Sequence, residues 1–297
     1  MSDIRMRYFN NLHPAVSMSY FITVLAFTLA CFHPVMAGLS LMGSAAFSFR
    51  LRGKKAFFAT LRFVAPMFLF IAIANPLFNH RGVTMLFLLF DQWITLEAIL
   101  YGLVSACTLC AIVMWFTCYQ QVMTSDKFLY LFGKLAPATA LLITMTLRFI
   151  PELKQNAREI RDAQKMLRNE DTRLFQKLGT AMRNLSVLLT MSMESAVGTA
   201  DSMKARGYGE KRRTTFHLFR FDGRDTRVLV LMLTLAGICF AGRIYGHGYM
   251  EFYPAMTVAV IGTPSVTMFV VFGLLMALPT FLEAKEAVIW RSYGLKS

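Results

Sequence analysis

Charge is scarce in this chain of 297 residues, and negative charge is scarcest: 16% of residues are charged, with 31 Lys and Arg against 17 Asp and Glu. The sequence has no G-x-x-x-x-G-K-[ST] string, so it carries no P-loop for ATP; Gly133-Lys134 lacks both the preceding glycine and the following Ser or Thr. It has no H-E-x-x-H and no G-x-S-x-G, which removes zinc-peptidase and nucleophile-elbow chemistry. Its five histidines, His13, His33, His80, His217 and His247, are scattered without metal-ligand spacing. The five cysteines all lie in apolar stretches. Cys107-x-x-Cys110 has redox-like spacing but no second pair, and reads as small buried hydrophobes in a helix. No A-x-A-like site follows the first apolar run, so that run is expected to remain as a span.

What is present is apolar. Hydrophobic residues make up 56% of the chain, and the mean hydropathy is +0.50. The excess is gathered in runs near the ~20 residues that cross ~30 Å of hydrocarbon. These cover about 16–32, 35–49, 61–78, 96–119, 228–245 and 255–281, the last interrupted by Gly262, Pro264 and Pro279. The second is rich in small residues, which favour close helix packing. Val83–Phe90 is too short to cross and is expected to be re-entrant or interfacial. A net charge of +14 on such a chain fits a membrane protein. A Met- and Phe-rich hydrophobic chain does not fit a nucleic-acid binder.

Basic and nearly uncharged loops alternate. Arg5 and Arg7 precede the first run; Arg50-Leu51-Arg52-Gly53-Lys54-Lys55 follows the second; the long middle segment and the tail are basic again. The positive-inside rule then places the N-terminus, the middle segment and the C-terminus in the cytoplasm. Asp91 and Glu97 flank the fourth run at the interface. Mid-span charges, which ion-driven carriers use, are missing.

The middle segment is helical and not low-complexity. From Pro151 the chain reads as an amphipathic helix with Leu153, Ala157, Ile160 and Gln164/Leu167 on one face and Lys154, Arg158, Arg161 and Lys165 between them. A second helix, about 172–204, carries an apolar run broken by Glu194, too short for a span and expected to be buried against protein. Gly207 and Gly209 stop it. Arg206 is left at the helix C-terminus, favoured there by the dipole and offering five donors to a partner's carbonyls or carboxylates.

The string Ala200-Asp201-Ser202-Met203-Lys204-Ala205-Arg206-Gly207-Tyr208-Gly209 closely resembles the signature of the transmembrane T component of energy-coupling factor (ECF) transporters, the EcfT/CbiQ-like family. Leu12-His13-Pro14, the segment Asn75–Thr84, Thr124-Ser125-Asp126-Lys127-Phe128 and Leu147-Arg148-Phe149-Ile150-Pro151 are similar to the family in the same order, so the resemblance covers nearly the whole chain. It implies an all-α, polytopic membrane helix bundle with a cytosolic pair or trio of long amphipathic coupling helices. The expected division is 1–122 and 227–297 in the membrane and 123–226 as coupling helices. It also implies two cytosolic ABC-type ATPases and a membrane-embedded substrate-binding S component as partners, no cofactor, no catalysis, and a bacterial plasma-membrane location. Each coupling helix would place an arginine motif in an ATPase groove. Ala205, Arg206 and Gly207 carry the second motif. The first should follow Ala163-Gln164, where the triplet is degenerate and Arg168 is the candidate. The alternatives, a self-sufficient membrane carrier or a membrane-embedded enzyme, need mid-membrane charges or a convergent catalytic set, and neither is found.

Overall fold

The computed structural model describes residues 9–79, 82–89, 92–133, 136–167, 174–210, 219–248, 250–253 and 262–292. Its helices follow the apolar runs. They are α1 (Pro14–Ala30), α2 (Pro34–Phe78), α3 (Leu96–Val122), α4 (Ser125–Gly133), α5 (Pro137–Leu167), α6 (Leu174–Ala205), α7 (Gly223–Ile244) and α8 (Thr263–Ser292). Of these, α2, α3, α7 and Thr263–Glu286 of α8 are long and apolar enough to cross a membrane; α1 is a shorter apolar helix. The sixth apolar run begins at 255, but 254–261 lie outside the described residues. Among the described residues the fold is all-α apart from one two-stranded hairpin.

That hairpin, β1 (Met85–Leu89) with β2 (Gln92–Thr95), stands where a re-entrant or interfacial segment was expected. Five residues with β-branched and aromatic neighbours are enough for a strand and too few for a helix that crosses. Sequence reading missed its anchor. The Glu97 side chain is 3% exposed. Its Oε1 accepts from the Thr84 hydroxyl at 2.6 Å and from the Thr84 amide at 3.2 Å, tying the hairpin to the first turn of α3.

A straight α2 of 45 residues would be about 67 Å long at ~1.5 Å per residue, more than twice the hydrocarbon thickness. It is not straight. Gly53 has φ 76° and ψ 171°, a left-handed conformation that glycine adopts without a Cβ penalty. The helix is thereby folded into two arms, 34–52 and 54–78, matching the second and third apolar runs.

The chain falls into two compact units, Met1–Phe128 with Phe219–Ser297, and Leu129–Leu218. In the first, two ends are recognisable from their ties. At one end the His13 amide donates to Asp225 Oδ1 at 3.2 Å and the Asp222 amide to Asp225 Oδ2 at 3.1 Å, fastening the start of α1 to the start of α7. Phe9, just before α1, meets Phe47 near the knee of α2 at 5.6 Å between ring centroids. At the other end the Met250 amide donates to the Phe32 carbonyl at 3.2 Å, Asn79 Nδ2 donates to the Tyr253 hydroxyl at 3.1 Å, and the Phe252 ring meets Phe32 and Tyr101 edge to face. The ends of α1, of the two arms of α2 and of α7 thus alternate along the chain.

Between the ends lies an aromatic core. Phe9, Tyr20, Phe21, Phe47 and Trp115 are each no more than 1% exposed and meet in edge-to-face and tilted pairs, such as Phe9–Tyr20 at 5.4 Å and Phe21–Trp115 at 6.3 Å. That geometry favours the ring quadrupoles. Their polar atoms are satisfied: Trp115 Nε1 donates to Ser40 Oγ at 3.1 Å, Ser40 bonds Thr28 at 2.9 Å, and the Tyr20 hydroxyl donates to the Leu275 carbonyl at 3.1 Å. Where lipid replaces water there is little hydrophobic force between helices, and close approach must supply packing. Gly43 and Gly102 provide it. A Cβ on Gly43 would come within 2.8 Å of Met276 Cβ, and one on Gly102 within 2.9 Å of Asn75 Cβ. Asn75 therefore acts in packing the second arm of α2 on α3, and its carbonyl accepts the Asn79 amide at 2.9 Å.

Candidate docking site

The second unit is built on α5 and α6. The first of these starts at Pro137, well before the expected Pro151, and runs straight through that proline. Pro151 forfeits one backbone bond to the Leu147 carbonyl, and the long helix around it absorbs the loss. The half-buried positions of α5 include Leu153, Ala157, Ile160 and Gln164, the face read from the sequence. The facing seam of α6 is Thr180, Asn184, Leu188 and Ser192, small and largely polar.

The apolar stripe of α6 is on its other side. Leu178, Met182, Leu185, Leu189, Met193 and Val197 follow one another at three- and four-residue steps and are all exposed, between 48% and 71%. The sequence predicts a helix buried against protein; nothing among the described residues covers the stripe. Contiguous exposed apolar surface of this extent marks an interaction site. Glu194 does not break the helix and is exposed.

The end of α6 is a fully formed Schellman motif. The Gly207 amide donates to the Lys204 carbonyl at 3.0 Å and the Tyr208 amide to the Met203 carbonyl at 2.9 Å, with Gly207 at φ 80°. Any other L-residue would be strained there, which explains the glycine after Ala205-Arg206. Arg206 caps the helix, is exposed, and its amide donates to the Ser202 carbonyl at 3.2 Å. Its guanidinium has no hydrogen bond or ion pair among the described residues. The fold therefore presents an exposed cation on a fixed backbone at the end of α6. Arg168, the candidate for the matching motif, lies outside the described residues.

A buried lysine stands just before this unit in the chain. Lys127, in the segment Thr124–Phe128, is 5% exposed. Its Nζ donates to the Val122 carbonyl at 3.0 Å, meeting one of the carbonyls that the last turn of α3 leaves open. Burial pushes its ammonium down to about 8, because the charged form loses hydration. Among the described residues no group of three or more His, Cys, Asp or Glu could hold a metal. Cys107 and Cys110 are free thiols, and Cys110 points its sulfur at the Val64 carbonyl at 3.7 Å, a packing role.

Fold and site together define a multi-pass helical membrane protein that carries a long two-helix arm ending in an exposed arginine. Comparison with known proteins narrows this class. The family model described as "CbiQ: Cobalt transport protein" matches residues 11–218, and the chain belongs to that family. Curated relatives include the energy-coupling factor transporter transmembrane proteins EcfT of Listeria innocua, 35% identical over 104 residues (34% of this chain, 39% of the relative), of Streptococcus thermophilus, 31% over 117 residues (38% and 44%), and of Bacillus subtilis, 32% over 105 residues (34% and 39%). The aligned part thus spans about two fifths of each relative's own length.

Proposed function

We propose that this chain is the transmembrane coupling subunit of an ECF transporter in a bacterial plasma membrane. It joins two cytosolic ABC-type ATPases to a membrane-embedded S component that binds a vitamin or other micronutrient, and it catalyses nothing itself. Residues 1–122 and 227–297 form its membrane part and 123–226 its coupling helices. The N-terminus, the coupling helices and the C-terminus face the cytoplasm, in keeping with the alternation of basic and uncharged loops.

The observation that carries the reading is Arg206: exposed, with no hydrogen bond or ion pair from its guanidinium among the described residues, and with its backbone fixed at the end of α6 by the Schellman turn at Gly207. The turn fixes the backbone from which the guanidinium projects, so docking has only the side chain left to order. In an ATPase groove it would make charge-assisted hydrogen bonds with carboxylates or carbonyls. Arg168 serves as the weaker counterpart on the other helix. The uncovered stripe of α6 supplies the apolar surface that a membrane partner needs. Two packed helices move as one body, so ATPase closure becomes a tilt of the arm.

Arg206→Ala is expected to weaken ATPase docking by about 2–5 kcal/mol, at least ~30-fold, while membrane insertion stays normal. Co-purification of the tagged chain with its ATPases reads the effect directly. Undiminished ATPase recovery together with undiminished uptake refutes the assignment.

A further inference from the structure

The knee of α2 carries charge that the coupling role does not use. Between Asp3 and Asp91 the sequence contains no Asp or Glu, yet Arg50, Arg52, Lys54, Lys55 and Arg62 fall within thirteen consecutive positions, 50–62. Gly53 turns the helix back on itself in their midst. Arg52 is half-buried and committed: its Nη1 donates to Thr60 Oγ1 at 2.9 Å, bridging the two arms. The Phe49 and Phe57 rings close the same bend edge to face at 5.5 Å. The other four cations, Arg50, Lys54, Lys55 and Arg62, are exposed, and none has an ion pair or a side-chain hydrogen bond among the described residues. Large apolar side chains stand beside them, with Phe58 61% and Phe63 66% exposed.

We infer that the knee binds the phosphodiester headgroups of anionic phospholipids. The helices on either side of Gly53 are the two membrane-crossing arms, so the turn between them sits at headgroup depth. Four exposed cations with no ion pair among the described residues make a local positive field, and an anionic leaflet attracts each Lys or Arg near its surface. The exposed phenylalanines beside them suit the acyl boundary and not water. A guanidinium can take a phosphate with two hydrogen bonds, and the lysines add point charges around it. The Arg52–Thr60 hydrogen bond ties the two sides of the bend together, and bound lipid adds a second tie across it. These residues lie outside the compact unit that carries Arg206.

The test uses the full-length chain in detergent micelles doped with phosphatidylglycerol and phosphatidylcholine, with retained lipids counted by native mass spectrometry. The wild type is expected to retain phosphatidylglycerol in preference. Each charge removed weakens binding about five-fold, so Lys54→Gln/Lys55→Gln and Arg50→Gln/Arg62→Gln each lower affinity about twenty-five-fold. Arg158→Gln/Arg161→Gln, which removes equal charge from α5, leaves retention unchanged. Millimolar inorganic phosphate does not displace the lipid. Arg62→Gln alone spares the turn and gives a five-fold step should a double variant fold poorly. Equal retention by knee and α5 variants overturns the inference, as does a wild type that does not discriminate the two lipids, or displacement by inorganic phosphate, which would make the knee a site for the free ion.

Discussion

Asp225 is the most informative residue to perturb in the membrane unit, because one side chain closes two elements. It is 4% exposed and accepts the His13 amide at 3.2 Å with Oδ1 and the Asp222 amide at 3.1 Å with Oδ2. Asp225→Ala removes both acceptors and strands two backbone donors at the starts of α1 and α7. Hydrogen bonds to a charged group contribute about 1.5–3 kcal/mol each. Both donors are only part-buried and water replaces some of the loss, so the lower value applies, about 3 kcal/mol in all. For a domain of 150–250 residues that lowers the unfolding temperature by about 6–12 °C. Asp225→Asn keeps one acceptor and should cost about half as much. Arg224→Ala is the control: its ion pair with Asp222 is 4.0 Å long with both side chains more than half exposed, and such pairs contribute at most about 1 kcal/mol. Intrinsic tryptophan fluorescence of the purified chain during heating follows Trp115 in the core. An unfolding temperature for Asp225→Ala within 1 °C of the wild type and of Arg224→Ala refutes the clamp.

Gly102→Ala is expected to push α3 away from Asn75, since the new Cβ would sit 2.9 Å from Asn75 Cβ; overpacking of this kind costs about 1–3 kcal/mol, read as lower thermal stability in the same assay, whereas Gly38→Ala, with open space around it, should be silent. Lys127 predicts a pH dependence. Its folded value of about 8 lies below the ordinary 10.5, so between those limits the unfolded chain binds more protons and stability rises with pH. The gain is complete near 10.5 and absent below about 8. Lys127→Met should flatten that slope in thermal scans across pH 7.5–10.5, and an unchanged slope would show that the ammonium is not the titrating group.

Much of this fold is legible in the sequence, for a physical reason. Membrane length and loop charge are global constraints, so the apolar runs at 16–32, 35–49, 61–78 and 96–119 map onto α1, the two arms of α2, and α3. The α5 face containing Leu153, Ala157 and Ile160 is legible because 3.6-residue periodicity needs no partner to be seen. The hairpin at Met85–Leu89 is not, because a short apolar run has the same composition whether it lies flat, re-enters or pairs. The anchoring of that hairpin by Glu97 and of α3 by Lys127 is equally hidden: each depends on contacts the chain makes only after folding. Pro151 misleads in the opposite direction, since a proline that usually marks a helix start is here carried inside α5. For the proposed docking site, Ala205, Arg206 and Gly207 stand in the sequence as a Gly-terminated helix end, and the Schellman bonds at Lys204 and Met203 supply its geometry. The exposure of the α6 stripe could not be read, because periodicity reports an apolar face and not what covers it.

The central claim, that this chain is a scaffold between ATPases and a substrate-binding subunit, is tested most directly by the composition of the assembly it forms. The tagged chain, purified from its native membrane under mild detergent, should show by native mass spectrometry one copy of itself with two ATPase subunits and one small membrane protein. It should hydrolyse ATP only in that company. A chain that purifies alone and still supports substrate uptake in liposomes, without ATPases, contradicts the account.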